Sequence, residues 1–261
     1  MDVRYADVAY NLDRVLSRLT ESAEQGARLV VFPEAALTGY CASSRADVEG
    51  IAIRNDSAAI EGVQARCEQL EVCALVGFAE IDGLNLYNSA AFFEPRKSPR
   101  FYRKTHLPFL GMDRFVETGE ELLVLESGLG KLAPLICFDL RFPEATRTLA
   151  LRGAELLMLP TNWPQGAEVS AEVICVARAA ENRIFVVTCN RVGTERGFTF
   201  IGRSKIISPA GKVLAVAGSE ETILLAEIKL ADARQKRTIV RPGEYETETF
   251  RARRPELYDC P

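Results

Sequence analysis

The 261-residue chain predicts an α/β protein in which helices cover a mixed sheet. Three features carry that expectation. Segments with apolar residues at helical spacing alternate with short apolar runs bounded by turn residues. Two pairs of those runs flank tight turns, at Asp82-Gly83 and at Pro209-Ala-Gly211, so antiparallel hairpins interrupt the strand–helix order. No Gly/Ser-rich or Pro-rich linker cuts the chain, so one domain over 1–261 is expected, ending in a charged, solvated arm from about 230 onward.

The elements follow in order. Leu12, Val15, Leu16 and Leu19 recur on one helical face and Gly26 stops it, which predicts a helix from about Asn11 to Gln25. Arg28 to Phe32 is a strand. Ile60, Val63, Cys67 and Leu70 share a face of a second helix, from about Ser57 to Leu70 behind an N-capping Asp56. Strands follow at Cys73–Ala79, Asn88–Phe93, Leu122–Leu125 and Leu132–Ile136. Pro143, at a favoured first helical position, opens a helix to Leu151. A strand at Leu156–Leu159, a helix over Ala171–Glu181 and a buried strand at Ile184–Cys189 come next. Gly202–Ser208 and Val213–Ala217 form the second hairpin, and Thr222–Ile228 is the last strand.

Composition narrows the function classes. With 48% hydrophobic and 26% charged residues and a net charge of −4, the chain has a core to build and no positive field for nucleic acid or anionic membrane. No apolar run reaches the ~18 residues of a membrane span and the N-terminus does not read as a secretion signal, so a cytoplasmic protein is expected. Seven cysteines without a Cys-x-x-Cys pair and a single histidine, His106, argue against a disulfide framework and a structural zinc site. No metal and no cofactor are expected.

Cys137 is the residue around which the chemistry is expected. It ends the apolar run Lys131–Ile136 and leads at once into the polar turn Phe138-Asp-Leu-Arg-Phe-Pro-Glu144, an arrangement that presents a thiol beside free backbone N–H groups. Cys67, Cys73, Cys175 and Cys189 lie inside helix or strand patterns and read as core. Glu34 leaves the sheet at the end of Leu29-Val-Val-Phe-Pro33, where ligands of α/β sheets collect. Lys104, in Phe101-Tyr-Arg-Lys-Thr-His-Leu-Pro108, adds a cation. A thiol, a base and a cation suffice for amide or nitrile hydrolysis.

Val31-Phe-Pro-Glu-Ala-Ala-Leu-Thr-Gly-Tyr40, Tyr102-Arg-Lys-Thr-His-Leu107 and Cys137-Phe-Asp-Leu-Arg-Phe-Pro-Glu144 resemble, in order and approximate spacing, the three signatures of the nitrilase superfamily of carbon–nitrogen hydrolases. Leu159–Pro164, Ala177–Arg183 and Phe200–Ser204 extend the likeness. The resemblance implies a four-layer α-β-β-α sandwich, a homodimer or higher homo-oligomer, a small-molecule amide or nitrile substrate, and a Glu34–Lys104–Cys137 triad. In that scheme Glu34 takes the thiol proton, Lys104 and the backbone N–H of Phe138 stabilise the oxyanion, and ammonia leaves a thioester that water then hydrolyses. His106, two residues beyond Lys104, is expected to be structural.

Two departures from the family pattern stand out. Where many members carry a second glutamate after the lysine motif, Asp113 fits best here, ahead of Glu117. The family's opening apolar strand is also missing before the first helix, which implies an upstream start and an unpaired edge beside the Glu34 strand. Substrate choice is expected from the loops 107–116, 162–168 and 191–200. Asn162 and Trp163 are candidate substrate-orienting residues, although Trp163 also fits the core, and Arg191, Arg196 or Arg203 is a candidate for a substrate carboxylate. A linear amide leads, with a nitrile or an N-carbamoyl amine as alternatives, and a non-catalytic scaffold of the same fold is the reading from another class.

Overall fold

The computed structural model describes residues 1–258 and shows two sheets packed face to face between two helical layers. The first half contains α1 (Val8–Glu24), β1 (Leu29–Val31), α2 (Arg45–Ile51), α3 (Ala58–Leu70), β2 (Cys73–Asp82), β3 (Asn85–Phe93) and β4 (Arg100–Arg103). Its sheet runs β1-β2-β3-β4, with β1 parallel to β2 and the rest antiparallel. The alternation of side chains along β2 and β3 divides their contacts. Ala74, Val76, Phe78, Ala91 and Phe93 pack against Val15 and Leu19 of α1 and Ile60, Val63 and Cys67 of α3. Leu75, Ala90 and Phe92 face the other way, into the core between the sheets.

The second half adds β5 (Leu125–Ser127), β6 (Gly130–Pro134), α4 (Pro143–Leu151), β7 (Leu156–Thr161), α5 (Cys175–Asn182), β8 (Phe185–Asn190), β9 (Thr194–Glu195), β10 (Phe198–Thr199), β11 (Lys205–Ile207) and β12 (Val213–Val216). The six-stranded sheet runs β12-β11-β8-β7-β6-β5, parallel through β6, β7 and β8. Its outer face is covered by Ala145 and Leu149 of α4 and Cys175 and Ala179 of α5. The layers are therefore α-β-β-α.

Several boundaries differ from expectation for local reasons. α1 begins at Val8, because Asp7 accepts the Tyr10 N–H at 3.1 Å and caps it. Asp56 does not cap α3; its carboxylate pairs with Arg54 and Ser57 takes the cap position. The helix expected over Ala171–Glu181 opens as a π-turn, Ser170–Ile174, before α5. The strand expected at Leu122–Leu125 starts only at Leu125, which pairs with Leu132, and the ladder of β6 ends at Pro134, one backbone bond before the Cys137 turn. Gly202 and Arg203 adopt positive φ and bond to loop carbonyls of Arg191 and Gly218, which confines β11 to Lys205–Ile207.

Thr222–Ile228 is not a strand. Among the described residues no backbone partner lies along Ile223–Ile228, and the segment instead lines a cavity of about 740 Å³ shared with Leu29–Phe32 and Met1. β1 pairs with β2 alone, so its other edge faces the same space. The expected arm carries a hairpin of its own, β13 (Arg237–Arg241) and β14 (Tyr245–Glu248), largely exposed to solvent.

Candidate active site

Three chain reversals bring the ionisable residues together at one end of the sheets. After β1 the backbone turns through Ala35 at φ +52°, which throws Glu34 inward. Gly77 of β2 lies directly beneath, where a Cβ would stand 2.5 Å from the Ala35 nitrogen and 2.7 Å from the Pro33 carbonyl. Lys104 follows β4, its N–H bonded to the Asn88 carbonyl at 2.8 Å. Cys137 itself takes φ +45°, a left-handed conformation costing a non-glycine residue roughly 1–3 kcal/mol, and opens the 3₁₀ turn Cys137–Arg141. The first N–H groups of such a turn, Phe138's among them, have no carbonyl partner within it.

Asp139 holds that turn in place. Its buried carboxylate accepts from the Ile136 N–H at 2.9 Å, the Tyr102 hydroxyl at 2.8 Å, the Thr105 hydroxyl at 2.9 Å and the His106 N–H at 2.9 Å. His106 Nδ1 lies 2.8 Å from the same carboxylate and its ring stacks on Phe142. The histidine is thus occupied with the scaffold of the turn.

The centre is a buried ionic cluster. Lys104 Nζ donates to Glu34 Oε1 at 2.7 Å and to Asp113 Oδ2 at 2.6 Å, with all three side chains fully buried. Tyr40 donates its hydroxyl to Asp113 Oδ2 at 2.8 Å. The shorter Asp113 side chain reaches the lysine because Gly111–Arg114 forms a 3₁₀ turn packed on Tyr40, with Gly111 at positive φ. Glu117 is outside the cluster, exposed beside Arg45. Asn162 donates its amide to the Glu34 carbonyl at 2.9 Å.

Electrostatics follow from this burial. Desolvation raises the Glu34 carboxyl above the ordinary carboxylate range, and Asp113 adds to the rise while Lys104 and Asn88 oppose it. Burial alone would lower Lys104, but Asp113 and Glu34 outweigh it and keep the ammonium charged. The Cys137 thiol is pushed well up, first by burial and then by Glu34, against the pull of Lys104 and of the Asn162 backbone N–H. These causes favour the protonated thiol over the thiolate. Glu34 Oε2 and Asn162 Oδ1 are buried and have no hydrogen-bond partner among the described residues.

The remaining candidates separate. Trp163 is 3% exposed within the main core, its N–H on Asn190 Oδ1. Arg191 is buried against Glu195 and the Val3 carbonyl, Arg196 pairs with Asp47, and Arg203 with Glu172. All three guanidiniums have internal partners. No group of three His, Cys, Asp or Glu side chains suited to a metal ion occurs among the described residues, and no helix among them is long and apolar enough to cross a membrane. Cys260 lies outside the described residues.

The profile of the carbon–nitrogen hydrolase family matches residues 1–238. The chain belongs to that family. It is 38% identical to a nitrilase of Pyrococcus abyssi over 95% of this chain and 92% of the relative, and 30% identical to a 2-oxoglutaramate amidase of Bacillus subtilis over 90% and 91%. Among solved structures it resembles, with a TM-score of 0.82 and 25% identity over 98% of this chain and 95% of the other, a variant of the amidase from Nesterenkonia sp. AN1 in which acrylamide has added to the active-site cysteine. This carbon–nitrogen hydrolase is an enzyme of the amidase/nitrilase type, and its fold is that of the nitrilase superfamily.

Two residues of the hydrolase's cluster, Asn88 and Tyr40, are not singled out by its sequence. Asn88 had a signal: it is the one amide in the apolar stretch Leu86-Tyr-Asn-Ser-Ala-Ala-Phe-Phe93, and an amide buried in a central strand needs partners. Tyr40 had none beyond closing the Glu34 motif.

Proposed function

We propose that Glu34, Lys104 and Cys137 hydrolyse the primary amide of a small linear substrate, a reaction for which a thiol, a base and a cation suffice. The observation that carries the amide over the nitrile is that buried acceptors of the cluster lack partners among the described residues, Glu34 Oε2 and Asn162 Oδ1 among them. A carboxamide brings an NH₂ group able to donate to such acceptors, and a nitrile brings no donor. The 2-oxoglutaramate amidase relative supports the same class.

In this reading the substrate carbonyl oxygen sits between Lys104 and the Phe138 N–H. Glu34 Oε2 takes the thiol proton as sulfur attacks, and the tetrahedral oxyanion is held by those two donors, each worth on the order of 3 kcal/mol. Glu34 then returns the proton to the leaving nitrogen, ammonia departs, and a thioester joins the acyl group to Cys137. A water entering where ammonia left gives a proton to Glu34 as its oxygen attacks the thioester carbon, and Glu34 passes that proton to the departing sulfur as the acid is released. Asp113 keeps Lys104 charged and aimed throughout, and Asn162 fixes the Glu34 backbone. Trp163 supports the pocket from the core. The same reading takes the chain as one catalytic domain with no cofactor, working in the cytoplasm as a homodimer or higher oligomer, for which the exposed Leu151, Val169 and Val173 on the α4/α5 layer offer an apolar face.

Ammonia release from short amides, dicarboxylate monoamides, nitriles and carbamoyl amino acids, run beside Cys137→Ala, tests the proposal. Release from amides that vanishes in the variant is expected. A folded wild type that is silent on amides and active on nitriles would overturn the substrate class, and silence across the panel would favour the scaffold reading.

A further inference from the structure

We propose that Asn88 is a positioning residue that sets the basicity of Glu34 by tying it to Asp113. The carboxamide nitrogen of Asn88 donates to Glu34 Oε1 at 2.7 Å and to Asp113 Oδ1 at 2.8 Å, spending both protons on the two carboxylates. The same residue's backbone carbonyl accepts the Lys104 backbone N–H, so one position on β3 touches the base, the second carboxylate and the backbone of the cation. It is 1% exposed.

The geometry explains why this donor is needed. Two carboxylates meet one ammonium, all three side chains fully buried, and Lys104 bonds to only one oxygen of each. Tyr40 supplies a second donor to Asp113 but none to Glu34. Among the described residues Asn88 thus gives the Glu34 carboxylate its one hydrogen bond besides that of Lys104, and both fall on Oε1, which leaves Oε2 free to receive a proton. A donor locked onto Oε1 fixes the carboxylate's rotation as well as its charge. The groups that face Glu34 are Lys104 after β4, Asp113 in the Gly111–Arg114 turn, and Cys137 after β6, with Tyr40 behind Asp113. A donor removed from a carboxylate makes it more basic.

This inference rests on the proposed role of Glu34, and the test separates the two. Asn88→Leu keeps the branched side-chain shape and removes both donors. Its kcat is expected to fall by about 30-fold or more with KM within about threefold, and the acid limb of kcat/KM is expected to move up by about one pH unit. Alkylation of Cys137 by iodoacetamide, followed against pH by mass of its peptide, should show the same upward displacement, and this readout does not need turnover. Asn88→Ser, which keeps one donor, should fall between the two and serves where the leucine variant does not fold. A folded Asn88→Leu enzyme with an unmoved acid limb in both profiles overturns the inference. A wild type without amide hydrolysis, beside an Asn88→Leu variant that still shows the alkylation shift, would sink the substrate reading and leave Asn88's role intact.

Discussion

Gly77→Ala places a single methyl group under the turn that carries Glu34. The new Cβ would lie 2.5 Å from the Ala35 nitrogen, 2.7 Å from the Pro33 oxygen and 2.9 Å from the Glu34 Cα, all backbone atoms that cannot rotate away. Ordinary contact begins at 3.4 Å, so the turn must retreat by about 0.9 Å. Glu34 would then lose its alignment with Lys104 and with the sulfur, and a displacement near 1 Å costs on the order of 10²-fold in rate. Overpacking of this kind also costs roughly 1–3 kcal/mol, or several degrees of Tm for a chain of this size. The assay is amide turnover with thermal unfolding on the same preparation. A drop in kcat near 100-fold with a modest fall in Tm is expected, whereas a folded variant with kcat within about threefold of wild type would refute the claim that this glycine sets the position of the base.

Three further outcomes follow from the same geometry. Because burial raises Glu34, the ionised base is lost as pH falls through a value above the ~4.3 of an ordinary glutamate, so the acid limb of kcat/KM should lie above that value; a limb at or below it would contradict the assignment. Asp139→Ala leaves the buried Ile136 N–H and Tyr102 hydroxyl without their acceptor and should cost at least about 3 kcal/mol, read by denaturant unfolding; a loss under about 1 kcal/mol would remove Asp139 as the anchor of the nucleophile turn. An apolar strand of about six residues fused ahead of Met1 can pair with the open edge of β1 and fill the cavity beside Ile223–Ile228, so Tm and solubility should rise; equal values with and without it would count against a strand-shaped slot.

The sequence exposes those parts of the fold whose determinants are local. α3, α4 and β8 are legible because Ile60, Val63 and Cys67, or the proline at position 143, act within one element. α2 is not, since seven residues with only Val48 and Ile51 buried are too few for a period to show. Thr222–Ile228 has a strand's composition, yet a strand needs a partner and the neighbouring edge of β1 does not come close enough to give one. In the site, Glu34, Lys104, Asp113 and Cys137 were each visible beside a motif or at the end of a run. Asn88 and Tyr40 matter through contacts spanning 25 to 73 residues of sequence, which no local pattern records. The exclusion of Arg191 is of the same kind, because its partner Glu195 is committed to the Tyr40 and Cys41 N–H groups.

The protonation of this cluster constrains how a glutamate can activate a thiol at all. In water a cysteine holds its proton about four units more tightly than a glutamate, a gap of roughly 6 kcal/mol. Burial raises both groups here, and moving a proton from sulfur to Glu34 keeps the number of buried charges unchanged, so desolvation largely cancels from the transfer. What remains is the difference in partners. Lys104 and Asn88 bond directly to the Glu34 carboxylate and resist its protonation, while the sulfur draws on Lys104 at longer range and on the Asn162 N–H. The balance keeps the proton on sulfur until a substrate arrives. In the proposed reaction an amide carbonyl placed against Lys104 and the Phe138 N–H changes that balance, because the charge leaving Glu34 reappears on an oxygen that both donors face. On this proposal proton transfer accompanies carbon–sulfur bond formation, and no reactive free thiolate need be maintained between turnovers.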